Sequence, residues 1–139
     1  NILKRTTGAK LEKINPVIAG EEILRLQELV REVPISDDLV SFVSRLIRST
    51  RPETSANSYV KEWVNWGAGP RAGQAMILTA KARALQGGRL AVTLEDLQHV
   101  AYPVLRHRII VNFKAEAEGI SADDVTKELL NSTKIISKT

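Results

Sequence analysis

Cysteine is absent from this 139-residue chain and histidine occurs only twice, as His99 and His107. The first absence excludes a disulfide framework and a thiolate metal site, and the second argues against a histidine-based zinc centre. Aromatic residues make up only 4% of the chain. No apolar run approaches the roughly 20 residues that span a bilayer, and the N-terminal residues lack a signal-peptide pattern. A reducing, cytoplasmic home with no membrane partner is therefore expected. The chain starts at Asn1 rather than at methionine, which reads as a piece of something larger.

Catalytic sets are missing too. There is no G-x-x-x-x-G-K-[ST] loop to cradle phosphates and no apolar strand ending in acids to hold magnesium. No Ser/His/Asp or Cys/His arrangement is present, and no carboxylate pair has a pocket signature. By itself the chain is not expected to catalyse a reaction.

Charge is plentiful but mixed. Twenty Lys and Arg stand against sixteen Asp and Glu, a net charge of +4. A nucleic-acid interface usually clusters its cations on one element. The nearest approaches are Arg45, Arg48 and Arg51, and the run Arg106-His107-Arg108. Each reads equally well as a solvated face or a subunit contact, so nucleic acid is the weaker expectation. A basic, non-enzymatic helical module binding nucleic acid or protein remains the alternative to the reading below.

The most informative stretch is Trp66-Gly67-Ala68-Gly69-Pro70-Arg71-Ala72. Gly67 and Gly69 permit a tight turn, Pro70 suits a first helical position, and the residues to Gln86 read as helix until Gly87-Gly88 stops it. Arg71 then lies in the first turn, the wrong end for a cation, at a penalty of roughly 0.3–1 kcal/mol. An anion shared by the guanidinium and the first-turn N–H groups would resolve the conflict, and phosphate is the natural one. An exposed arginine with no ligand is the bland alternative. The helix itself is apolar on every side across Ala75 to Ala80, with small residues at 72, 75, 80, 82 and 84, which predicts a central position.

Around it the pattern predicts an all-α small bundle of about six helices with at most a minor strand pair. Residues 1–16 read as a linker or arm. A helix opens at Ala19-Gly20, with Ile23, Leu26, Leu29, Val30 and Val33 on one face, and ends at Pro34. Ser36 caps the next, with Leu39, Val43, Leu46, Ile47 and Thr50 inward. The Tyr59 to Trp66 segment is ambiguous; its aromatics read as the wall of a core beside the glycine turn, or as a stacking platform. Leu90 to Val92 and Ile109 to Val111 are candidate extended pieces. Thr93 with Asp96, and Ser121 with Asp124, are near-matches to the capping box. Pro103 is expected to start a separate turn. Both histidines read as structural, and Lys134 to Thr139 as a fraying tail.

The series Pro16-Val17-Ile18, Glu21-Glu22-Ile23-Leu24, Leu29-Val30-Arg31, Ser36-Asp37-Asp38-Leu39 and Ser49-Thr50-Arg51 resembles the C-terminal part of MoxR-type AAA+ ATPases. It continues through Gly67 to Ala72, Gly88-Arg89, Val92 to Leu97, Pro103 to Arg108 and Glu116 to Gly119. The resemblance implies that residues 17–139 form the helical lid and that an absent N-terminal α/β core carries the Walker motifs. It also implies ATP and Mg2+ as cofactors, the metal being held by that core. Arg71 would be the sensor 2 residue at the γ-phosphate, with Pro70 and Gly69 beside the nucleotide. Further implications are a hexameric ring of neighbouring subunits, chaperone-like remodelling or metal loading of a partner complex, and von Willebrand factor A proteins as clients. One departure is that Gly69 stands where the family usually has serine. The other is the extra aromatic bulk of Tyr59 to Trp66.

Overall fold

The computed structural model describes residues 15–135. In chain order these form α1 (Gly20–Glu32), α2 (Asp37–Ser49), α3 (Ser58–Trp63), β1 (Val64–Trp66), α4 (Pro70–Gln86), α5 (Leu94–Leu105), β2 (Ile110–Val111), α6 (Phe113–Ala117) and α7 (Ala122–Ser132). The domain is mostly helical, as expected, with one antiparallel pair, β1 against β2. The arm expected over residues 1–16 lies outside the described residues except for Asn15 and Pro16. Of the expected tail, only Lys134 and Ile135 are described, and neither is helical.

Helix α4 is the centre. It packs on α5, α2 and α1, and the line Ala72, Met76, Ala80 and Ala84, spaced every four residues, is fully buried. Three of those four side chains are methyl groups, so neighbouring helices approach closely. The helix is not apolar all round as expected: Gln74, Leu78 and Thr79 are exposed. Around it the core is filled by Phe42 and Leu46 of α2, Leu97 and Leu105 of α5, and Leu129 of α7. Burying each such side chain contributes about 1.5–3 kcal/mol.

Local signals set the helix starts. The Ser36 hydroxyl accepts from the Leu39 N–H, and Asn57 Oδ1 accepts from the N–H groups of Tyr59 and Val60. Thr93 with Asp96, and Ser121 with Asp124, form complete capping boxes, aspartate serving where glutamate is usual.

Asp96 does more than cap. Its side chain is fully buried and also receives Arg83 Nη1 at 2.5 Å and both terminal nitrogens of Arg89, Nη2 at 2.6 Å. The Thr93 N–H and hydroxyl, each at 2.9 Å, complete the set. The Arg89 guanidinium above all, then the Thr93 N–H and Arg83, hold this carboxyl well below the usual carboxylate range against the opposing effect of burial. Because Arg83 lies in the last turn of α4 and Arg89 follows the Gly87-Gly88 turn, the carboxylate ties α5 to the end of α4. Gly88 sits at φ 67°, where a side chain would be strained.

Four expectations need correction. Helix α1 buries none of its residues; only Val33, just past its end, reaches the core. Its contact is with α4, where Lys81 Nζ donates to the Arg31 carbonyl at 2.8 Å. Pro103 does not begin a new turn but lies inside α5, which ends two residues later. The proline costs one backbone bond near a helix end, which the buried face of Leu97, Val100, Ala101 and Val104 offsets. Leu90 to Val92 is not a strand: Val92 makes a single bond to the Pro34 carbonyl, and β2 finds its partner in the ambiguous aromatic segment instead. That segment's core wall is made by Val60 and Val64 with Tyr59 packed against it, whereas Trp66 is 65% exposed.

Candidate functional site

The turn between β1 and α4 lies flat on the end of α2. A Cβ on Gly67 would come within 2.7 Å of backbone atoms of Thr50 and Arg51, so glycine is required there by close approach. The buried Thr50 hydroxyl fastens the next residue, accepting from the Ala68 N–H at 2.8 Å while donating to the Ile47 carbonyl at 2.7 Å. Arg51 Nε donates to the other side of the same residue, the Ala68 carbonyl, at 3.2 Å. Ala68 is thus held through both its backbone groups.

Gly69 is the N-cap of α4, with no side-chain cap, and Pro70 occupies its first turn. Gly69, Pro70 and Arg71 are all exposed, and among the described residues no acid pairs with Arg71. The space around Gly69 is open. Serine fits there and supplies the missing cap, so Gly69→Ser is expected to raise stability by a few tenths of a kcal/mol, about the glycine-to-serine difference at N-caps. Urea denaturation measures this; a loss of stability would show that the N-terminus of α4 is more crowded than described.

Beside the turn, α2 and α4 enclose a groove of about 500 Å³. Val43, Ile47, Ile77 and Pro70 give it apolar walls, and Ser44, Gln74, Arg48 and Arg51 supply polar groups. Its size and mix suit a small organic ligand bearing negative charge. A smaller recess of about 230 Å³ lies on the other side of Arg51, lined by Glu53, Trp66 and the glycine turn.

The structure brings Gly69, Pro70 and Arg71 into one turn, with Pro70 on the groove. The other basic residues divide. Arg48 and Arg51 line the groove, but Arg45 donates to the Lys134 carbonyl at 3.1 Å. Arg106 makes a bidentate pair with Asp123, and Arg108 donates to the Val104 carbonyl at 2.6 Å. The run Arg106-His107-Arg108 is therefore largely spent on internal contacts. Both histidines are exposed. The aromatics expected as a group separate: Tyr59 and Trp63 contact each other at 6.1 Å and Lys114 lies over Trp63, whereas Trp66 stands apart on the recess.

Sequence reasoning missed Thr50 and Arg51 as supports of the turn and the groove that α2 forms with α4. Thr50 does fall on the inward face of α2, and a hydroxyl at an apolar-periodic position is the signal that a buried polar partner is needed.

Residues 56–129 match the family model described as the AAA lid domain. The chain is 35% identical over 124 residues to the chaperone MoxR1 of Mycobacterium tuberculosis, covering 88% of this chain and 33% of that protein. It is 30% identical over 125 residues to the uncharacterised protein YeaC of Bacillus subtilis, covering 90% of this chain and 37% of that one. A crystal structure from Cytophaga hutchinsonii, described as that of a candidate ATPase, superposes with a TM-score of 0.85 at 29% identity, over 98% of this chain and 42% of its own. The chain spans about a third of the length of these curated relatives.

Proposed function

Because the chain belongs to the AAA lid domain family, we propose that it is the lid of a MoxR-type AAA+ ATPase, closing over ATP bound to an N-terminal α/β core. The observation that carries this reading is Arg71, exposed and without an acid partner among the described residues, in the first turn of a helix whose entry is fastened to α2 beside a groove of nucleotide size. The groove's apolar walls suit a base, and Arg48 on the groove with Arg71 in the adjoining turn suit phosphate oxygens. Among the described residues no cluster of acids could hold a metal ion, so Mg2+ would be held by residues of the core.

ATP supplies the phosphoryl bond whose cleavage provides the energy. Arg71 holds the terminal phosphate, as the sensor 2 residue, and stabilises the closed lid only while that anion is present. Loss of the anion removes the difference in affinity between open and closed positions, and the lid is released. In a hexameric ring, lids seated against neighbouring subunits would turn that release into chaperone-like remodelling or metal loading of a partner complex, von Willebrand factor A proteins being the kind of client expected. A cytoplasmic site suits such work; no described helix is long and apolar enough to cross a membrane.

Arg71→Ala in the longer protein is expected to lower ATP hydrolysis about tenfold or more, the worth of one charge-assisted hydrogen bond of roughly 1.5–3 kcal/mol. Among the described residues the exposed side chain has no ion-pair partner, so the melting temperature is expected to stay unchanged. Undiminished turnover in a folded variant would remove Arg71 from the site and with it this reading.

A further inference from the structure

We infer that Arg51 is a positioning residue for Arg71, holding the turn that aims it and linking that turn to the α2–α4 groove. The inference rests on the lid reading above but on different contacts. The backbone of Arg51 is fixed on both sides: its N–H bonds the Arg48 carbonyl at 3.2 Å, and its carbonyl accepts from Ser55 at 2.9 Å and Thr54 at 3.2 Å. From that anchor Nε reaches the Ala68 carbonyl at 3.2 Å, three residues before Arg71. Ala68 is itself almost wholly buried. The same side chain lines both the groove and the Trp66 recess, so it forms the partition between them. Among the described residues no carboxylate pairs with it.

An arginine in this place does what a lysine does poorly. Its Nε donates in the plane of the fork, leaving the two terminal nitrogens directed elsewhere, whereas an ammonium offers one point donor. Arg51 can therefore keep the Ala68 carbonyl while the rest of its guanidinium walls the groove. Thr50 holds the N–H of Ala68 and Arg51 its C=O, and removing one of the two leaves the turn free to rotate about the other. A turn misplaced by about 1 Å at a reacting group is enough to lose as much as 100-fold in rate.

The test is a double-mutant cycle in the longer protein, with Arg51→Ala, Arg51→Lys, Arg71→Ala and the Arg51→Ala/Arg71→Ala pair, each checked for an unchanged melting curve. Arg51→Ala is expected to lower kcat for ATP hydrolysis about tenfold at an unchanged KM, with Arg51→Lys restoring part of the loss. In the Arg71→Ala background it is expected to cause no further loss, because it acts through Arg71. In the present chain, hydrogen exchange at the bonded amides of Ala68 and Ala72 is expected to quicken in Arg51→Ala while the interior of α4 stays protected. Additive losses, a change confined to KM, or unaltered exchange at those amides would each overturn the inference. If Arg71→Ala itself leaves turnover intact, the lid reading fails instead, and the exchange measurement still judges whether Arg51 holds the turn.

Discussion

Asp96→Ala is expected to destabilise the fold by about 3–4 kcal/mol, near the lower part of the range for breaking a buried ion pair. The carboxylate has no solvent exposure, and five donors converge on it from Arg83, Arg89 and Thr93. Removing it strands those donors and deletes the aspartate half of the capping box of α5. The loss stays below the top of that range because the arginine side chains are 29% and 36% exposed and can turn to water. The same carboxyl gives the stability an acid limb. Its folded pKa is depressed, so its contribution is complete above the unfolded carboxylate value of about 3.9 and is lost as pH falls from there toward the lower folded value. Urea denaturation near neutrality and again near pH 3 measures this. Asp96→Asn is expected to be less stable than the unaltered chain near neutrality and to lose less on acidification. Asp124, lowered chiefly by its bond from the Ser121 hydroxyl, titrates in both proteins and cancels in the comparison. Parallel acid limbs would show that the Asp96 clamp is not the group responsible.

Gly67→Ala is the second large effect, at about 2–4 kcal/mol, combining overpacking with a buried donor left unpaired. The added methyl meets backbone rather than a flexible side-chain end, at Thr50 and Arg51, so no rotamer change relieves it. The turn must lift from α2, and the Thr50–Ala68 and Arg51–Ala68 bonds lengthen with it. Chemical denaturation gives the stability change. In the longer protein the variant is also expected to hydrolyse ATP at least as poorly as Arg71→Ala, since the arginine is carried out of place with its turn. A variant as stable as the parent would mean that the turn has room the present contacts deny.

The features legible in the sequence are the local ones. Caps at Ser36, Thr93 and Ser121 follow from residues three apart, and the start of α4 follows from Gly69 and Pro70 in succession. Small residues at 72, 75, 80, 82 and 84 mark a helix that others approach closely. What escaped depends on partners distant in the chain. The Thr50–Ala68 bond spans 18 residues and the Arg83–Asp96 bond 13, and no periodicity reveals either. Helix α1 shows a different limit: Ile23, Leu26 and Leu29 mark an apolar face, but a face says nothing of what covers it. Pro103 was misread because its backbone cost was weighed without the burial of Val104 and Leu105 that follows it. Of the candidate site, Gly69, Pro70 and Arg71 were read correctly as one turn, while the groove beside them needed the α2–α4 packing to exist.

The Asp96 clamp also bears on how the chain assembles. Its three members lie within 14 residues, around the Gly87-Gly88 turn, so closing that loop forfeits little chain freedom. The β1–β2 pairing joins Val64 to Val111, 47 residues further on, a closure of higher entropic cost, and speed of folding tracks such separations. The α4–α5 hairpin can thus lock with its own charges before the sheet closes, giving the rest of the chain a preformed surface on which to condense.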